Sequence, residues 1–318
     1  MASNRTNSFH PLKAAALGAG AATAGAVGLL ASQVHLARRS IGMSDARPPS
    51  ADGVYGDDLP GQPVRCLILG DSAAVGYGMT SADLTPPALI GLSLSHLLDS
   101  PVHIHSEAVV GARSEHLREQ VNRGLTFKPD VAVIVIGTND ITHRVPVQLS
   151  ARRLSVAVRR LVEARCDVVV GTVPDLGTVR PIPQPLRWIA GHNGRRLARQ
   201  QTMAVVSAGG RAVSLGDLLG PKFSAQSDLM FGSDHFHPSA TGYANVVGVL
   251  VPSIAAAIRE PEEQDFAAAT TMPLAHAAAV AELHVGTEVR GAGRRAAVER
   301  RGRVDGQRRR VVSRSRAK

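Results

Sequence analysis

The stretch Val64-Arg-Cys-Leu-Ile-Leu-Gly-Asp-Ser-Ala-Ala-Val-Gly-Tyr-Gly78 decides how the rest of the chain is interpreted. Apolar residues of strand length end at Gly70, and Asp71 and Ser72 follow at once. In an open α/β sheet the carboxyl ends of the strands form the ligand crevice, so a hydroxyl just beyond such an end is positioned for chemistry. Ser72 is therefore a candidate nucleophile, although a serine after a strand also commonly caps a helix.

Strand-like and helix-like patterns alternate between residues 64 and 259. This alternation predicts an α/β fold, a three-layer αβα sandwich around a five-stranded parallel sheet joined by right-handed crossovers. The predicted strands are Val64–Gly70, Val102–Ala108, Val131–Ile136, Asp167–Thr172 and Arg211–Leu215. The main predicted helices begin near Pro86, Leu117, Pro146, Arg195 and Ala240. A Pro-rich loop runs from Val173 to about Leu186.

The charge of the 318-residue chain is concentrated at one end. Its formal net charge is +10, but residues 287–318 hold 12 Arg or Lys against 3 Asp or Glu. Nine of the ten net positive charges therefore lie in this tail, and the rest of the chain is nearly neutral. With only 3% aromatic residues, the body does not match a nucleic-acid binder that stacks bases. Cys66 and Cys166 are too few for a disulfide framework or a metal set, which predicts buried free thiols.

An uncharged, Ala- and Gly-rich run extends from Ala14 to Ser32 near the N-terminus. Basic residues flank it on both sides, namely Arg5, Lys13, Arg38 and Arg39. This pattern predicts that residues 1–40 form an export signal or an anchor that associates with a membrane through residues 14–32. No Ala-x-Ala site closes the run, which favours an uncleaved anchor, with a soluble helix as the alternative. We therefore expect an exported protein of the cell envelope, membrane-anchored or secreted.

Composition divides the remaining chain into three parts. Residues 41–63 are rich in Pro, Gly, Asp and Ser, which is typical of a linker. Residues 64–260 carry the α/β pattern and form the predicted catalytic domain. Residues 261–318 have few large apolar side chains and are predicted to be a basic, disordered tail. The tail is expected to contact anionic polymers at most, with no specific nucleic acid as partner.

Chemically useful side chains follow several of the predicted strands. Ser72, Gly111 and Asn139 lie beyond three strand ends, and a late loop presents Asp234 and His237. A serine hydroxyl needs a neutral imidazole to take its proton, and that imidazole needs a carboxylate to fix its tautomer. The oxyanion that forms on attack needs preorganised N–H donors. These five residues supply the parts of an acyl-transfer site.

At these positions the sequence resembles the SGNH hydrolases, also called GDSL-type esterases and lipases. The resemblance rests on four blocks in the family's order: Gly70-Asp71-Ser72, Gly111, Gly137-Thr138-Asn139-Asp140 and Asp234-His235-Phe236-His237-Pro238. It covers roughly residues 64–259 and implies a flavodoxin-like αβα fold. With its anchor-like N-terminus the chain is most similar to exported actinobacterial members of that family.

The resemblance assigns a role to each matching residue. It implies that Ser72 is the nucleophile, that His237 is the general base and that Asp234 orients His237. The oxyanion donors would be Ser72, Gly111 and Asn139, and no metal or organic cofactor is implied. The first block departs from the family in having Ala where many members have Leu after the serine. His235 competes as the base, but only His237 has Asp three residues before it and Pro directly after it.

Other classes of protein fit the sequence less well. The nucleophile motif of the α/β-hydrolases, Gly-x-Ser-x-Gly, is absent around Ser72, and no complete Gly-x-Gly-x-x-Gly follows the first strand. A metal site built from Asp234, His235 and His237 lacks a convincing further ligand. A binding module of the envelope that has lost its activity stays open as an alternative.

The substrate is expected to be a small-molecule or lipid acyl ester. The loop after the fourth strand carries Ile182 and Trp188, which are assigned to a predicted acyl pocket. Its apolar character favours a lipid or short-chain acyl ester. An O-acetylated polysaccharide and acyl transfer to a sugar remain open.

Overall fold

The computed structural model describes residues 23–25, 27–36 and 48–259, together with the backbone of residues 288–290. Residues 23–25 and 27–36 are helical and are called α1. Most of the predicted N-terminal anchor and nearly all of the predicted basic tail lie outside the described residues. The anchor and the basic tail therefore stay predictions.

One sheet organises the described chain. Its strands are β1 Gly53–Tyr55, β2 Val64–Gly70, β3 Val102–Ser106, β4 Val131–Val135, β5 Asp167–Gly171, β6 Arg211–Val213 and β7 Glu288–Arg290. Their order across the sheet is β1-β3-β2-β4-β5-β6-β7. The five strands from β2 to β6 are parallel, in the flavodoxin-like order. The predicted five-stranded parallel sheet is thus confirmed as the centre of a larger sheet.

Two antiparallel strands extend the edges of this sheet. β1 pairs with β3, and β7 pairs with β6. The residues of β1 fall in the segment predicted to be a linker, and those of β7 fall in the predicted tail. Each strand has only three residues, too few for an alternating pattern to be recognised in the sequence. The edge of an already formed sheet supplies the hydrogen bonds that define them.

Helices cover both faces of the sheet. They are α2 Ser72–Val75, α3 Pro86–Leu98, α4 Leu117–Gly124, α5 Thr138–Thr142, α6 Val147–Glu163, α7 Leu186–Ser207, α8 Leu215–Ala225, α9 Ser227–Met230 and α10 Ala240–Ile258. Helices α3, α8 and α10 pack against one face, and α4, α6 and α7 pack against the other. The predicted three-layer αβα sandwich is confirmed.

The central strand β4 shows why the sheet is buried on both faces. Val131 and Val133 belong to the core on one side, while Ala132 and Ile134 belong to the core on the other. A continuous apolar run of this kind is typical of a strand in a covered parallel sheet. Among the described residues, Ala240–Ile258 is the one helix long and apolar enough to cross a membrane. Its buried residues pack in the core, which accounts for its composition.

Both cysteines are buried free thiols, as predicted. Burial disfavours the thiolate and raises the pKa of Cys66 to about 12. We therefore assign no chemistry to either residue.

Helix α7 begins nine residues earlier than the sequence pattern predicts. The side chain of Gln184 accepts the backbone N–H of Trp188, and the side chain of Gln33 in α1 accepts the backbone N–H of Leu186, both at 3.1 Å. These bonds satisfy first-turn donors that a helix leaves unpaired. Trp188 is therefore on a helix and not in the preceding loop. The cap contributed by Gln33 comes from a distant part of the chain, so local sequence does not reveal it.

Candidate active site

The turn between β2 and α2 holds Ser72 at the carboxyl edge of the sheet. Gly70 has a φ of +136°, and a Cβ at this position would lie 2.0 Å from the carbonyl oxygen of Val135. Only glycine allows β2 and β4 to approach so closely here. Asp71 caps α2, its Oδ1 accepting the N–H of Ala73 at 3.0 Å.

Two buried glutamines hold the ends of the central strands. Gln120 accepts the N–H of Gly70 and donates to the Gly70 carbonyl, both at 2.9 Å. Gln201 accepts the N–H of Val173 and donates to the carbonyl of Ile136, both at 2.8 Å. A side-chain amide matches a peptide group in this way because it has both a donor and an acceptor. These two pairs of hydrogen bonds fix the backbone that carries the candidate site.

Ser72, His237 and Asp234 form a continuous hydrogen-bonded chain. The Ser72 Oγ lies 3.0 Å from Nε2 of His237, and Nδ1 of His237 lies 2.6 Å from Oδ2 of Asp234. Because an ionised carboxylate only accepts hydrogen bonds, the network assigns the ring proton to Nδ1. This leaves Nε2 as an acceptor for the hydroxyl proton. The structure therefore brings Ser72 together with a His–Asp pair that lies more than 160 positions away in the sequence.

The loop that carries Asp234 and His237 is closed at its base. Phe231 and Pro238 form an antiparallel bridge. Inside the loop, Oδ1 of Asp234 accepts the backbone N–H groups of Phe236 and His237, both at 3.0 Å. One carboxylate thus fixes the loop with one oxygen and the imidazole with the other.

These contacts determine the ionisation of Asp234. Partial burial by itself would raise the pKa of this carboxyl. The hydrogen bonds from the His237 ring and from the backbone N–H groups of Phe236 and His237 outweigh burial and lower the pKa below its usual value. Asp234 is therefore ionised at neutral pH, as an orienting carboxylate must be.

His235 does not take part in this hydrogen-bonded chain. It is exposed and its φ is +54°, a left-handed backbone conformation. The imidazole that lies against Ser72 belongs to His237.

Aromatic rings that no sequence motif indicates enclose the His237 imidazole. The ring of Tyr77 lies against the imidazole with centroids 4.4 Å apart, and Phe236 meets it edge-on at 5.0 Å. Tyr77 is buried, and its carbonyl accepts the hydroxyl of Tyr243 at 2.9 Å. Tyr77 lies in the stretch quoted at the outset, but its contact with His237 depends on the approach of a distant loop.

The three predicted oxyanion donors lie beyond the ends of β2, β3 and β4. The side-chain amide of Asn139 donates one hydrogen to the carbonyl of Ala112 at 3.1 Å, which leaves its second hydrogen. This bond also places Asn139 beside the turn at Gly111, whose φ is +80°. Within the part of the chain that the structure describes, no acceptor is found for the backbone N–H of Ser72 or Gly111.

Asp140 joins the same two loops. Its buried carboxylate accepts the backbone N–H of Ser114 at 3.0 Å and the Ser114 hydroxyl at 2.7 Å. The loop that follows β3 is thereby held against α5, the helix that carries Asn139.

Asp71 is a buried carboxyl next to the candidate nucleophile. Its Oδ2 has no hydrogen-bond partner among the described residues. Burial raises the pKa of Asp71 to about 7, and the nearby charge of Asp140 adds to this, against the opposing hydrogen bond from Ala73. The group is therefore largely protonated below pH 7 in the folded chain.

The raised pKa of Asp71 predicts that the folded chain loses stability as the pH rises. Asp71→Asn should remove this dependence. A carboxyl whose folded pKa is raised stabilises the fold at low pH, and that contribution is lost as the pH rises from about 4 through about 7. The free energy of unfolding of Asp71→Asn relative to the original chain should increase over this range by a few kcal/mol, about 4 at most. Urea unfolding at several pH values measures it. The exposed Asp58→Asn serves as control, and equal pH slopes for Asp71→Asn and the original chain would contradict the prediction.

The two tentative pocket residues do not form a common apolar wall. Ile182 is 7% exposed and belongs to the core, whereas Trp188 is 63% exposed on α7. Leu176 and Val179 of the same loop are also buried in the core. These three aliphatic side chains face inward. The assignment of Ile182 and Trp188 to an acyl pocket stays a prediction.

Comparison with known proteins identifies the chain's relatives. The model of the GDSL-like lipase/acylhydrolase family matches residues 68–244. A GDSL-like esterase of Mycobacterium tuberculosis is 44% identical over 254 residues, which cover 76% of this chain and 80% of the relative. The chain belongs to the GDSL-like lipase/acylhydrolase family. It is accordingly an acyl ester hydrolase, and the predicted resemblance to actinobacterial members agrees with this relative.

Solved structures of other family members are more distant. The chain is similar to a lipase/acylhydrolase from Enterococcus faecalis, with 19% identity and a TM-score of 0.49 over 63% of this chain and 100% of that one. It is also similar to a catalytic mutant of an acetylxylan esterase from Geobacillus stearothermophilus, with 14% identity and a TM-score of 0.49 over 60% and 94% of the two chains.

Proposed function

We propose that this family member is a serine esterase that hydrolyses short-chain acyl esters through a covalent acyl-enzyme. The observation that carries the proposal is the hydrogen-bonded chain from Ser72 through His237 to Asp234. Such a chain supplies nucleophile, base and orienting carboxylate in the order that acyl transfer requires.

The reaction proceeds in two steps. The Ser72 Oγ attacks the ester carbonyl carbon while its proton passes to Nε2 of His237. The tetrahedral intermediate collapses when the carbon–oxygen bond to the alcohol breaks, and that alcohol leaves with the proton from Nε2. Water then attacks the acyl group, gives a proton to Nε2 and releases the acid, and the proton returns to Ser72. Asp234 stays ionised throughout and stabilises the imidazolium.

The oxyanion of each intermediate is stabilised by the backbone N–H groups of Ser72 and Gly111 and by the side-chain amide of Asn139. The hydrogen bond from Asn139 to Ala112 holds this amide in place before substrate arrives. Preorganised donors of this kind stabilise the transition state because they need no reorientation during the reaction.

A fluorophosphonate probe tests the covalent step. The full-length protein should be labelled on Ser72, as located by peptide mass spectrometry, because this phosphorus electrophile is attacked in the same way as an ester carbonyl. Ser72→Ala should not be labelled. Absence of labelling in the original chain, together with no turnover of p-nitrophenyl acetate, would refute the esterase proposal and favour the alternative of a binding module.

Asn139→Ala should lower kcat for p-nitrophenyl acetate by about 100- to 1,000-fold, the usual effect of removing one oxyanion donor. KM should change little, because the donor acts mainly on the transition state. Steady-state kinetics measure both parameters, and Asn122→Ala, which changes an exposed amide on α4, is the matched control. A fall of less than tenfold in kcat would remove Asn139 from the proposed oxyanion site.

We assign the acyl group to the short-chain class because Leu176, Val179 and Ile182 in the loop after β5 are buried in the core. Rates for p-nitrophenyl esters of increasing acyl length should therefore be highest for acetate or butyrate. A maximum at long chains would point to a lipid substrate instead.

The proposed location is the cell envelope. Its support is the uncharged run of residues 14–32 with basic residues on both sides. Fractionation of cells that express the chain with and without residues 1–40 tests it, and recovery of both forms in the same soluble fraction would count against an anchor.

A further inference from the structure

A cavity separate from the residues around Ser72 lies on the same edge of the sheet. Its volume is about 520 Å³, within the range of small-ligand sites. It is formed by the loop that follows β5, by the first turns of α7 and by one side of α8. None of the residues assigned above to catalysis lines it.

An exposed aromatic ring forms one side of this cavity. Trp188 is 63% exposed, and its indole stacks on His192, with ring centroids 5.6 Å apart and planes 18° apart. His192 covers one face of the indole. The other face of the indole is a flat apolar surface that is available to stack against a ligand.

The other side chains that line the cavity are almost all polar. Besides Trp188 only Pro221 has an apolar side chain, and four of the lining residues are glycines. The charged residues are two carboxylates, Asp175 and Asp217, and two guanidinium groups, those of Arg187 and Arg195. Their formal charges cancel, so the lining has no net charge that would favour an anion or a cation.

The walls are held in place by bonds within the chain. Oδ1 of Asp175 accepts the N–H of Gly177 at 2.8 Å, and its Oδ2 lies 3.4 Å from Arg195. Arg180 donates to the carbonyl of Ser224 at 3.1 Å, which joins the loop after β5 to the end of α8. These bonds hold the walls of the cavity in a fixed arrangement.

We infer that this cavity, with Trp188, Arg195, Asp175 and Asp217 as its main groups, binds an uncharged carbohydrate chain. A sugar ring has an apolar face that can stack on an indole, and its hydroxyls both donate and accept hydrogen bonds. Carboxylates accept from such hydroxyls and guanidinium groups donate to them. A fatty acyl chain would leave these charged groups desolvated without partners.

The position of the cavity connects it with the proposed reaction, and this step rests on the proposed function. Ser72 follows β2, and the cavity begins after β5, two strands away across β4. At the usual spacing of strands the two ends are about 10 Å apart. A carbohydrate chain that extends from this cavity along the edge of the sheet towards the end of β2 would present an acyl substituent to Ser72.

The chain has a single tryptophan, so fluorescence of Trp188 reports directly on the cavity. The purified full-length protein is titrated with xylohexaose, mannohexaose and tetra-N-acetylchitotetraose, and separately with decanoate and inorganic phosphate. We expect a saturable change in emission with at least one neutral oligosaccharide and none with decanoate or phosphate. No saturable change with any of the three oligosaccharides, or saturation by decanoate or phosphate, would overturn the inference.

Calorimetry with variants localises the binding. Trp188→Ala and Arg195→Gln should each weaken binding of the responding oligosaccharide by about tenfold or more, and Arg118→Gln, an exposed arginine on α4, should not. Arg118→Gln should also hydrolyse p-nitrophenyl acetate at nearly the original rate. Unchanged affinity in Trp188→Ala would overturn the assignment. Because binding is measured without turnover, an inactive original chain would count against the proposed function and not against this site.

Discussion

Ser72→Ala is expected to lower kcat for p-nitrophenyl acetate by about 10⁴-fold or more, to the rate that binding and oxyanion donors alone sustain. The variant retains every other group of the site but has no oxygen that can form the acyl-enzyme. Stopped assays at high enzyme concentration measure the residual rate against the uncatalysed reaction.

The fold should survive this change. Ser72 is nearly buried and alanine fits within its volume, so circular dichroism and the Tm should stay close to those of the original chain. Ser93→Ala, an exposed serine on α3, is the matched control and should keep full activity. Residual activity above a tenth of the original value would show that Ser72 is not the nucleophile.

His237→Ala should cause a loss of similar size, about 10⁴-fold in kcat, whereas His235→Ala should stay within about threefold of the original rate. His237 lies 3.0 Å from the Ser72 Oγ, while His235 is exposed. Without an imidazole to accept its proton, the hydroxyl is a weak nucleophile at neutral pH.

The two histidines form a matched pair because they belong to the same loop and are changed in the same way. A general loss of loop structure would lower the activity of both variants. Equal losses would therefore leave the assignment of His237 as base unsupported, and a larger loss in His235→Ala would reverse it.

Much of the site could be anticipated because its residues sit at strand ends. Parallel strands direct their carboxyl ends to one edge, so Ser72, Gly111 and Asn139 could be placed together before any coordinates were known. The short spacing between Asp234 and His237 likewise indicates a local pair. Their hydrogen bonds to Ser72 and to each other follow this expectation, and their catalytic roles await the variants described above.

The supporting contacts could be anticipated only in part. Gln120 lies on the same helical face as Leu117 and Val121, and this position indicates a buried amide. Its partner, the backbone of Gly70, could not be read from that pattern. The contact of Tyr77 with His237 and the cap that Gln33 provides to α7 both join residues far apart in the chain.

The loop after β5 shows a point at which the sequence pattern allows two outcomes. Its apolar residues suggested a wall for an acyl chain, but Ile182 and Val179 complete the core. An apolar side chain in a loop gains free energy equally from a ligand pocket or from the protein interior, and only packing decides between them.

By itself, the sequence determined the class of fold, the edge of the sheet that carries the site and the residue types available for acyl transfer. These follow from local periodicity and from the fixed direction of parallel strands. The tertiary structure alone decided which rings enclose the His237 imidazole and where the polar cavity beside Trp188 opens. Those features depend on distances between segments remote in the chain, which are set by how the helices and loops pack against the finished sheet.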